Sequence, residues 1–446
     1  MGAPPRRVPW LLIITFGCVA FLAFVAGSFV MYRGVEPGES LRRAFDGGSA
    51  LFDKLFSYND RFATDFWKPQ PNDGRGVTRY DRARAQAGLT LYSSAHEHRA
   101  FLIDMEGRVV HEWAKRYSEI WDESAAAQDP VDDAQVYIEN THVFPNGDLL
   151  ALYTAIGDTP WGYGLVKLDR DSNVIWKYLE HSHHDFDVAA DGSIVTLTQE
   201  ISEREIPKFP EFAGPRIDDF IVRLSPDGKE LQKLWLTGAF AASPLGRKLW
   251  FVPWHVHANT GDYLHSNSVE VLKAPIPGVP QSRAGQVLVS LRDVSTIALV
   301  DLDRNAVVWA ISGSWVRQHD VELLPDGNIL LFDNEGDPSG NGVSRVLQFD
   351  PATYEVTWSY AGTADEPMES VARGSQQRLP NGNTLIVVSY DGRMIEVTPE
   401  GDIVWEFVNP VRGGEANDRI PIIHWAERID PRRQLDAGFR GSLELH

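Results

Sequence analysis

The sequence predicts an all-β fold, a six-bladed β-propeller preceded by an N-terminal transmembrane helix and a short helical segment. Three observations lead to this prediction: an apolar run near the N-terminus, an amphipathic stretch after it, and a tryptophan-ended motif that recurs six times. The 446 residues leave room for a membrane segment and a large repetitive domain, because single domains usually have roughly 100–200 residues.

The composition limits the kinds of function that the chain can have. It contains 62 Asp and Glu against 42 Lys and Arg, a formal net charge of −20, and we therefore expect no nucleic-acid partner. A hydrophobic fraction of 43% is that of a globular protein rather than of a disordered chain. The single cysteine, Cys18, excludes an intrachain disulfide, a cysteine zinc cluster and a CxxC redox site.

Residues 1–33 are predicted to form an N-terminal membrane anchor. The run from Trp10 to Tyr32 has no charged residue, and a helix needs about 20 apolar residues to cross the hydrocarbon core. A long signal peptide is the alternative, because Val25-Ala26-Gly27 resembles a cleavage site. The apolar run continues past that site, which favours an uncleaved anchor.

Residues 34–85 are predicted to be a juxtamembrane helical segment. Apolar residues recur at four-residue spacing within 38–66, as in the pairs Leu51/Leu55, Phe52/Phe56 and Phe62/Phe66, and such spacing forms one face of a helix. This face either packs on its own domain or lies at the lipid surface or against a membrane-protein partner.

Residues 86–410 are predicted to form the propeller. A hairpin that ends in tryptophan occurs six times, at Trp113, Trp176, Trp235, Trp309, Trp358 and Trp405. A second hairpin lies between these copies, with turn glycines at Gly147, Gly192, Gly327 and Gly382. Two hairpins per repeat of about 50 residues make a four-stranded blade. Residues 411–446 are treated as a C-terminal extension, and we expect strands from both chain ends to close the ring.

The repeat brings several histidines to one end of the predicted funnel. His184-Asp185 and His319-Asp320 each lie eight positions before a turn glycine, and His265 opens the corresponding strand of the blade between them. Arg292 is the one charged residue among the equivalent positions of the paired strands. Imidazoles and a guanidinium can hold sulfate or phosphate oxygens, and a neutral imidazole can be a nucleophile. Alternatively, each His-Asp pair ties neighbouring blades together.

A metal site is the competing interpretation of the histidines, because His181, His183, His184, His255, His257 and His265 are clustered in sequence. Strand alternation puts His181 and His183 on one face and His184 on the other, and no HExxH motif accompanies them. We therefore predict no metal and no cofactor. Trp254, Tyr263 and Trp315 lie near these motifs, where they can contact an aromatic ring.

Several motifs, in order along the chain, resemble those of bacterial arylsulfotransferases that do not use the nucleotide sulfate donor. They are HHDFDVAADGSIVTL, LHSNSVEVL, VLVSLRDVSTIALVD, RQHDVELLPDGNILLFDN, SRVLQFDP and GSQQRLPNGNTLIVV. The resemblance covers about residues 86–410 and implies a periplasmic six-bladed propeller that moves a sulfuryl group between phenols through a sulfated histidine. It implies His319 as the nucleophile, His265, Asn267 and Arg292 as ligands of the sulfate oxygens, and His184, or alternatively His183, as a further funnel histidine.

The chain differs from that family in beginning with an apolar helix instead of a small β-sandwich, and in having no second cysteine. We expect a single-pass inner-membrane arylsulfotransferase with its propeller in the periplasm, a phenolic sulfate donor and a phenolic acceptor. The alternatives are a non-catalytic scaffold subunit of a membrane complex and a metal- or quinone-dependent oxidoreductase.

Overall fold

The computed structural model describes residues 10–33, 36–38, 60–71, 73–212, 214–252, 261–340 and 342–443. The chain divides into two compact units, residues 1–59 and 60–446. In the first unit the helix α1, Trp10–Arg33, has no charged residue before its last position. Within the described part of the chain, its span Ile14–Arg33 is the one helix long and apolar enough to cross a membrane.

The second unit is a six-bladed β-propeller, as predicted, and each blade is an antiparallel sheet. The strands of each blade, from the channel outward, are as follows. Blade 1 contains Ile423–Ile429, Leu89–Ser94, Arg99–Ile103 and Val109–Ala114, and blade 2 contains Val136–Val143, Leu149–Ala155, Gly162–Leu168 and Val174–Tyr178. Blade 3 contains Ser182–Val188, Ile194–Ser202, Arg216–Leu224 and Glu230–Trp235.

Blades 4 to 6 repeat this order. Blade 4 contains Ser266–Val271, Val287–Leu291, Thr296–Asp301 and Ala306–Ser312, and blade 5 contains His319–Leu323, Ile329–Asp333, Arg345–Phe349 and Val356–Tyr360. Blade 6 contains Ser375–Arg378, Thr384–Val388, Arg393–Val397, Ile403–Val408 and a fifth, outer strand, Gly76–Tyr80.

Strands from both chain ends close the ring. The innermost strand of blade 1 comes from the C-terminus, since Ile423–Ile429 pairs with Leu89–Ser94. The short strand Trp67–Pro69 pairs with Arg419–Pro421. Gly76–Tyr80 pairs with Ile403–Val408 of blade 6.

The prediction of a helical segment over 34–85 is therefore wrong for the described residues from 60 onward. Residues 61–63 form one 3₁₀ turn, and the two strands Trp67–Pro69 and Gly76–Tyr80 follow. The four-residue apolar spacing misled the prediction because Phe66 and Trp67 are buried in the propeller body. Most of the predicted 38–66 helix, residues 39–59, lies outside the described residues.

Short helices lie in the connections between the strands. The α-helices are α2, Leu236–Ala242, α3, Pro431–Gln434, and α4, Ala437–Ser442. The 3₁₀ turns are Arg61–Ala63, Tyr117–Glu119, Asp133–Gln135, Pro210–Phe212, Gly246–Phe251 and Ser389–Asp391.

The repeated tryptophans join neighbouring blades. The indole N–H of Trp113 in blade 1 donates to the Gly147 carbonyl in blade 2 at 3.0 Å. Trp405 in blade 6 donates to the Met105 carbonyl in blade 1 at 3.0 Å. Gly147 itself has φ +88°, a left-handed conformation that favours glycine. In these two blades the repeated tryptophan therefore ties its blade to a turn of the next one.

Candidate active site

The innermost strands surround a pocket in the central channel. Each blade contributes two consecutive residues to its lining: Glu139-Asn140, His184-Asp185, Asn267-Ser268, His319-Asp320, Gly374-Ser375 and His424-Trp425. These six pairs are called the ring below. Among the described residues, Arg373 is the one lining residue outside the ring. The pocket has a volume of about 410 Å³, counted to its open mouth.

Bulges at the strand starts aim the ring side chains. The pairing register shifts between His183 and Phe186 and between His319 and Glu322, and His184 and Asp320 have φ of +59° and +48°. These bulges break the strict alternation that the sequence argument assumed. His183 and His184 consequently lie together, with 2.7 Å between their Nδ1 atoms, instead of on opposite faces.

His319 is held as a neutral imidazole. Its Nδ1 lies 2.7 Å from Oδ1 of Asn334, whose Nδ2 donates to the carbonyls of Ser370 and Arg373 at 2.6 Å each. Since those two bonds fix the amide, Oδ1 must accept and Nδ1 must carry the proton. Burial lowers the pKa of His319 to about 3, against the opposing effect of the Asn334 hydrogen bond. Nε2 therefore carries no proton and keeps its lone pair. The backbone N–H of Arg373 donates to Nε2 at 3.4 Å.

Three histidines, His183, His184 and His265, cluster around the Trp161 ring. The His184 ring lies 5.0 Å from the His265 ring and 6.4 Å from the His319 ring, measured between centroids. Trp161 stacks on His265 at 5.5 Å. Burial and the neighbouring His183 hold the pKa of His184 well below its ordinary value. Sequence reasoning did not single out Trp161.

His265 is not a ring residue, although the sequence argument placed it in the same repeat position as His184 and His319. The register of blade 4 shifts between Ser266 and Ser268, and Asn267 takes the ring position instead. His265 Nδ1 lies 2.6 Å from Oδ2 of Asp262. Burial raises the pKa of Asp262 to about 7, so one proton can be shared between the two groups.

The two remaining predicted ligands have partners within the protein. Asn267 lines the pocket, and its Nδ2 donates to the Gln318 carbonyl at 2.8 Å. Arg292 lies outside the lining residues. Its Nη1 donates to Asp293 at 3.0 Å, and its backbone N–H donates to the His265 carbonyl at 3.1 Å. The structure therefore brings His184, Asn267 and His319 together around the pocket, with His265 against His184 and Arg292 adjoining His265.

A family model described as arylsulfotransferase (ASST) matches residues 140–410, more than half of the chain. The chain belongs to the arylsulfotransferase family. Membership implies an aryl-sulfate sulfotransferase that acts on phenolic sulfates. The comparison with curated proteins found no match.

Several solved structures resemble the arylsulfotransferase propeller. A protein of unknown function from Bacteroides caccae is 12% identical with a TM-score of 0.48, over 76% of this chain and 98% of that one. A streptogramin B lyase is 12% identical with a TM-score of 0.40, over 79% and 88%. The WD40 propeller domain of Doa1 is 11% identical with a TM-score of 0.35, over 76% and 79%.

The alternative interpretation of the His-Asp pairs is correct for their aspartates. Asp185 of blade 3 accepts from the Val269 N–H of blade 4 at 2.8 Å. Asp320 of blade 5 accepts from the Gln376 N–H of blade 6 at 2.8 Å. In this arylsulfotransferase the aspartate ties adjacent blades, while the histidine before it lines the pocket.

Sequence reasoning did not single out seven of the pocket residues: Glu139, Asn140, Arg373, Gly374, Ser375, His424 and Trp425. Glu139 and Gly374 lie eight positions before the turn glycines Gly147 and Gly382, so the repeat itself contained the signal. His424 had no such signal, because the strand that pairs with its own lies more than 300 residues earlier. Arg373 belongs to a connection outside the repeat.

The structure also bears on the metal interpretation. Among the residues that the structure describes, no three His, Cys, Asp or Glu side chains are placed to hold one metal ion. His255, His257 and Trp254 lie outside those residues. Tyr263 and Trp315 are buried, in the two apolar clusters around blades 3 to 5, as core residues are.

Proposed function

We propose that this pocket transfers a sulfuryl group from a phenolic sulfate ester to a phenol through a sulfated His319. The observation that carries the proposal is the His319 geometry: Asn334 fixes the proton on Nδ1, and Nε2 keeps a lone pair beside the pocket. A neutral, oriented imidazole is the form that attacks.

The first half-reaction forms one bond and breaks one. The Nε2 lone pair attacks sulfur, the bond between sulfur and the phenolic oxygen breaks, and its electron pair leaves with that oxygen, which takes a proton. In the second half-reaction the acceptor phenol loses a proton, its oxygen attacks sulfur, and the N–S bond returns its pair to Nε2. The enzyme ends in its starting state.

We assign the proton transfer to the His265–Asp262 pair together with His184. A carboxylate partner lets an imidazole hold a proton in a buried site, and His265 has that partner at 2.6 Å. His184 contacts both His265 and His319. General acid help of this kind contributes about 10²–10⁴-fold, which matters because phenols leave poorly at neutral pH.

Asn267, His265 and Arg292 are proposed to hold the sulfuryl oxygens, as the family resemblance implies. Asn267 lines the pocket and so supports this role directly. Arg292 pairs with Asp293, so an anion must compete with that carboxylate for its guanidinium.

The covalent step is tested by a burst experiment. With 4-nitrophenyl sulfate and no acceptor, the enzyme should release about one equivalent of 4-nitrophenol, then stall and gain the mass of one sulfuryl group. Peptide mapping at alkaline pH should place the group on His319. His319→Ala should give neither burst nor label, while Asn267→Ala should keep a slower burst.

Two outcomes would contradict this proposal in different ways. A label on His184 or His265 would move the nucleophile to another histidine. The absence of a burst with every aryl sulfate tried would favour a non-catalytic scaffold.

We further propose that α1 is an uncleaved inner-membrane anchor, that the propeller lies in the periplasm, and that the segment before residue 60 meets the lipid surface or a membrane protein. The helix has 24 residues and no charged residue before Arg33, which supports the anchor. Protease added to spheroplasts should then degrade the propeller. Protection would place it in the cytoplasm, and a mature N-terminus near Ser28 would show a cleaved signal.

A further inference from the structure

The connection between blades 5 and 6 carries a guanidinium into the pocket. Arg373 precedes the innermost strand of blade 6 and adopts φ +61°. Its carbonyl accepts from Asn334 and its N–H donates to Nε2 of His319. The backbone of Arg373 is therefore fixed by the proposed nucleophile, His319, and by Asn334, which positions that nucleophile.

The Arg373 side chain forms no direct ion pair among the described residues, although its charge contributes to lowering the pKa of Asp65, after the larger effect of Lys68. Its Nε is buried without a hydrogen bond, and its guanidinium lies over the Phe66 ring, 4.7 Å from the centroid. Stacking on an aromatic face leaves the in-plane N–H groups of an arginine available to a ligand. Arg292, by contrast, is already paired with Asp293 at 3.0 Å.

The charge of Arg373 acts on four titratable groups of the pocket lining. It lowers the pKa of His184, His319 and His424, in each case after the larger effect of burial. It also opposes the burial that raises the pKa of Glu139. A fixed positive charge among neutral imidazoles attracts an anion into the pocket.

His424 supplies a second unpartnered group. It is 5% exposed, it lines the same pocket, and neither of its ring nitrogens has a hydrogen-bond partner. Its ring packs edge-on against Phe66, 5.1 Å between centroids, the same ring that supports Arg373. Buried polar atoms without partners in a pocket indicate that a ligand completes their hydrogen bonds.

We propose that Arg373 and His424 form an anion site beside His319 and that this site binds the sulfuryl oxygens of the donor. This inference rests on the proposed function for the identity of the anion. It adds to the family's motif a guanidinium from outside the repeat, and it makes Arg373 a stronger ligand for the sulfuryl oxygens than Arg292.

The test measures binding of inorganic sulfate by calorimetry in full-length His319→Ala protein, which cannot turn over. Adding Arg373→Met, which keeps the stem over Phe66 but removes the charge, should weaken sulfate binding at least about 10-fold. Adding His424→Phe should weaken it less. Arg317→Met is the matched control, because Arg317 also has a left-handed backbone, φ +57°, but pairs with Glu335 at 2.8 Å.

In the otherwise unchanged enzyme, Arg373→Met should lower kcat/KM for the aryl sulfate about 10²–10³-fold, the usual effect of losing one oxyanion ligand. Arg373→Lys keeps the charge without the planar guanidinium, so its kcat/KM should fall less. This variant also allows the test to be made if the methionine variant misfolds. Arg317→Met should bind sulfate and turn over as the parent does.

Sulfate binding that is unchanged in both Arg373 variants, or lost equally in Arg292→Met, would overturn the inference, as would a parent that binds no sulfate. The outcome is separable from that of the burst experiment. If sulfate binding depends on Arg373 but no burst is seen, the anion site is supported and sulfuryl transfer is rejected. If a burst is seen but sulfate binding does not depend on Arg373, sulfuryl transfer is supported and the anion site is rejected.

Discussion

The Asn334 side chain forms hydrogen bonds to two residues of the candidate site. Its carbonyl oxygen accepts from His319, and its amide nitrogen donates to the Arg373 carbonyl. The proposed nucleophile and the proposed anion ligand therefore share one buried side chain. Asn334 touches no substrate in this proposal and is a positioning residue.

Replacing Asn334 by alanine should let the His319 proton occupy either ring nitrogen and should remove one hydrogen bond to the Arg373 backbone. We expect Asn334→Ala to lower kcat between about 10-fold and 10⁴-fold, the larger value being typical of a catalytic histidine held in the wrong tautomer. The ¹⁵N shifts of His319 should change from the Nδ1–H form to a mixture. Asn328→Ala, in the turn of the same hairpin, serves as the control. A changed Tm with unchanged ¹⁵N shifts and kcat would assign Asn334 a purely structural role.

At the scale of single elements, the strand Ile423–Ile429, which closes the ring, contributes both to the pocket and to the contact between two blades. It supplies His424 to the pocket, and through Arg428 it ties blade 1 to blade 6. Arg428 is buried, donates to Glu396 at 3.0 Å and to Thr90 at 2.9 Å, and lies 4.8 Å above the Trp405 ring. One strand thus joins ring closure to the site.

Arg428→Ala should destabilise the protein strongly, because it leaves the Glu396 carboxylate buried without its cation. Removing one partner of a buried ion pair costs about 3–5 kcal/mol of unfolding free energy, to be measured by urea denaturation. Lys229→Ala, which breaks the exposed pair with Asp227, should change stability little. Equal effects of the two substitutions would show that Arg428 does not secure the closure.

At the scale of the whole molecule, the channel beyond the pocket is acidic. A second cavity of about 740 Å³ continues from the ring and is lined by carboxyl groups from four blades: Asp185, Asp187, Glu270, Asp320, Glu322 and Glu427. Burial raises the pKa of Glu270 and Glu322 to about 8, reinforced by neighbouring carboxylates and opposed by Lys273 near Glu270 and Arg378 near Glu322. The propeller therefore concentrates protonated carboxyl groups along its axis near neutral pH.

The stability of the propeller should fall as the pH rises above about 6.5. Groups with a raised folded pKa, such as Glu270 and Glu322, stabilise the fold fully below their ordinary pKa of 4.5 and lose that contribution as the pH rises from there through about 8. Buried histidines with lowered pKa values act in the opposite sense, because below about pH 6.5 they favour the unfolded chain.

Calorimetric Tm values at pH 7 and 9 test this balance. The double variant Glu270→Gln/Glu322→Gln should lose less Tm over that interval than the parent, since its amides stay neutral and can still accept the Leu323 N–H bond made by Glu270. Glu203→Gln, on the surface, should behave as the parent. An unchanged alkaline decline in the double variant would place the responsible groups elsewhere.

The sequence by itself determined the repeat and, with it, much of the site. The turn glycines adopt a left-handed backbone, and tryptophans such as Trp113 contact a turn of the next blade, so the spacing of both residues gives the number of blades. The same spacing located His184 and His319 and contained enough information to locate Glu139 as well. These features are local, because each depends on residues within one hairpin or its neighbour.

The tertiary structure alone decided the rest. His424 reaches the pocket because its strand pairs with Leu89–Ser94 across the ring closure, a contact that no local spacing encodes. Arg373 enters from a connection, and a register shift puts Asn267 rather than His265 in the ring. Arg373 lines the pocket and Arg292 does not, and this difference is decided by how the blades and their connections pack.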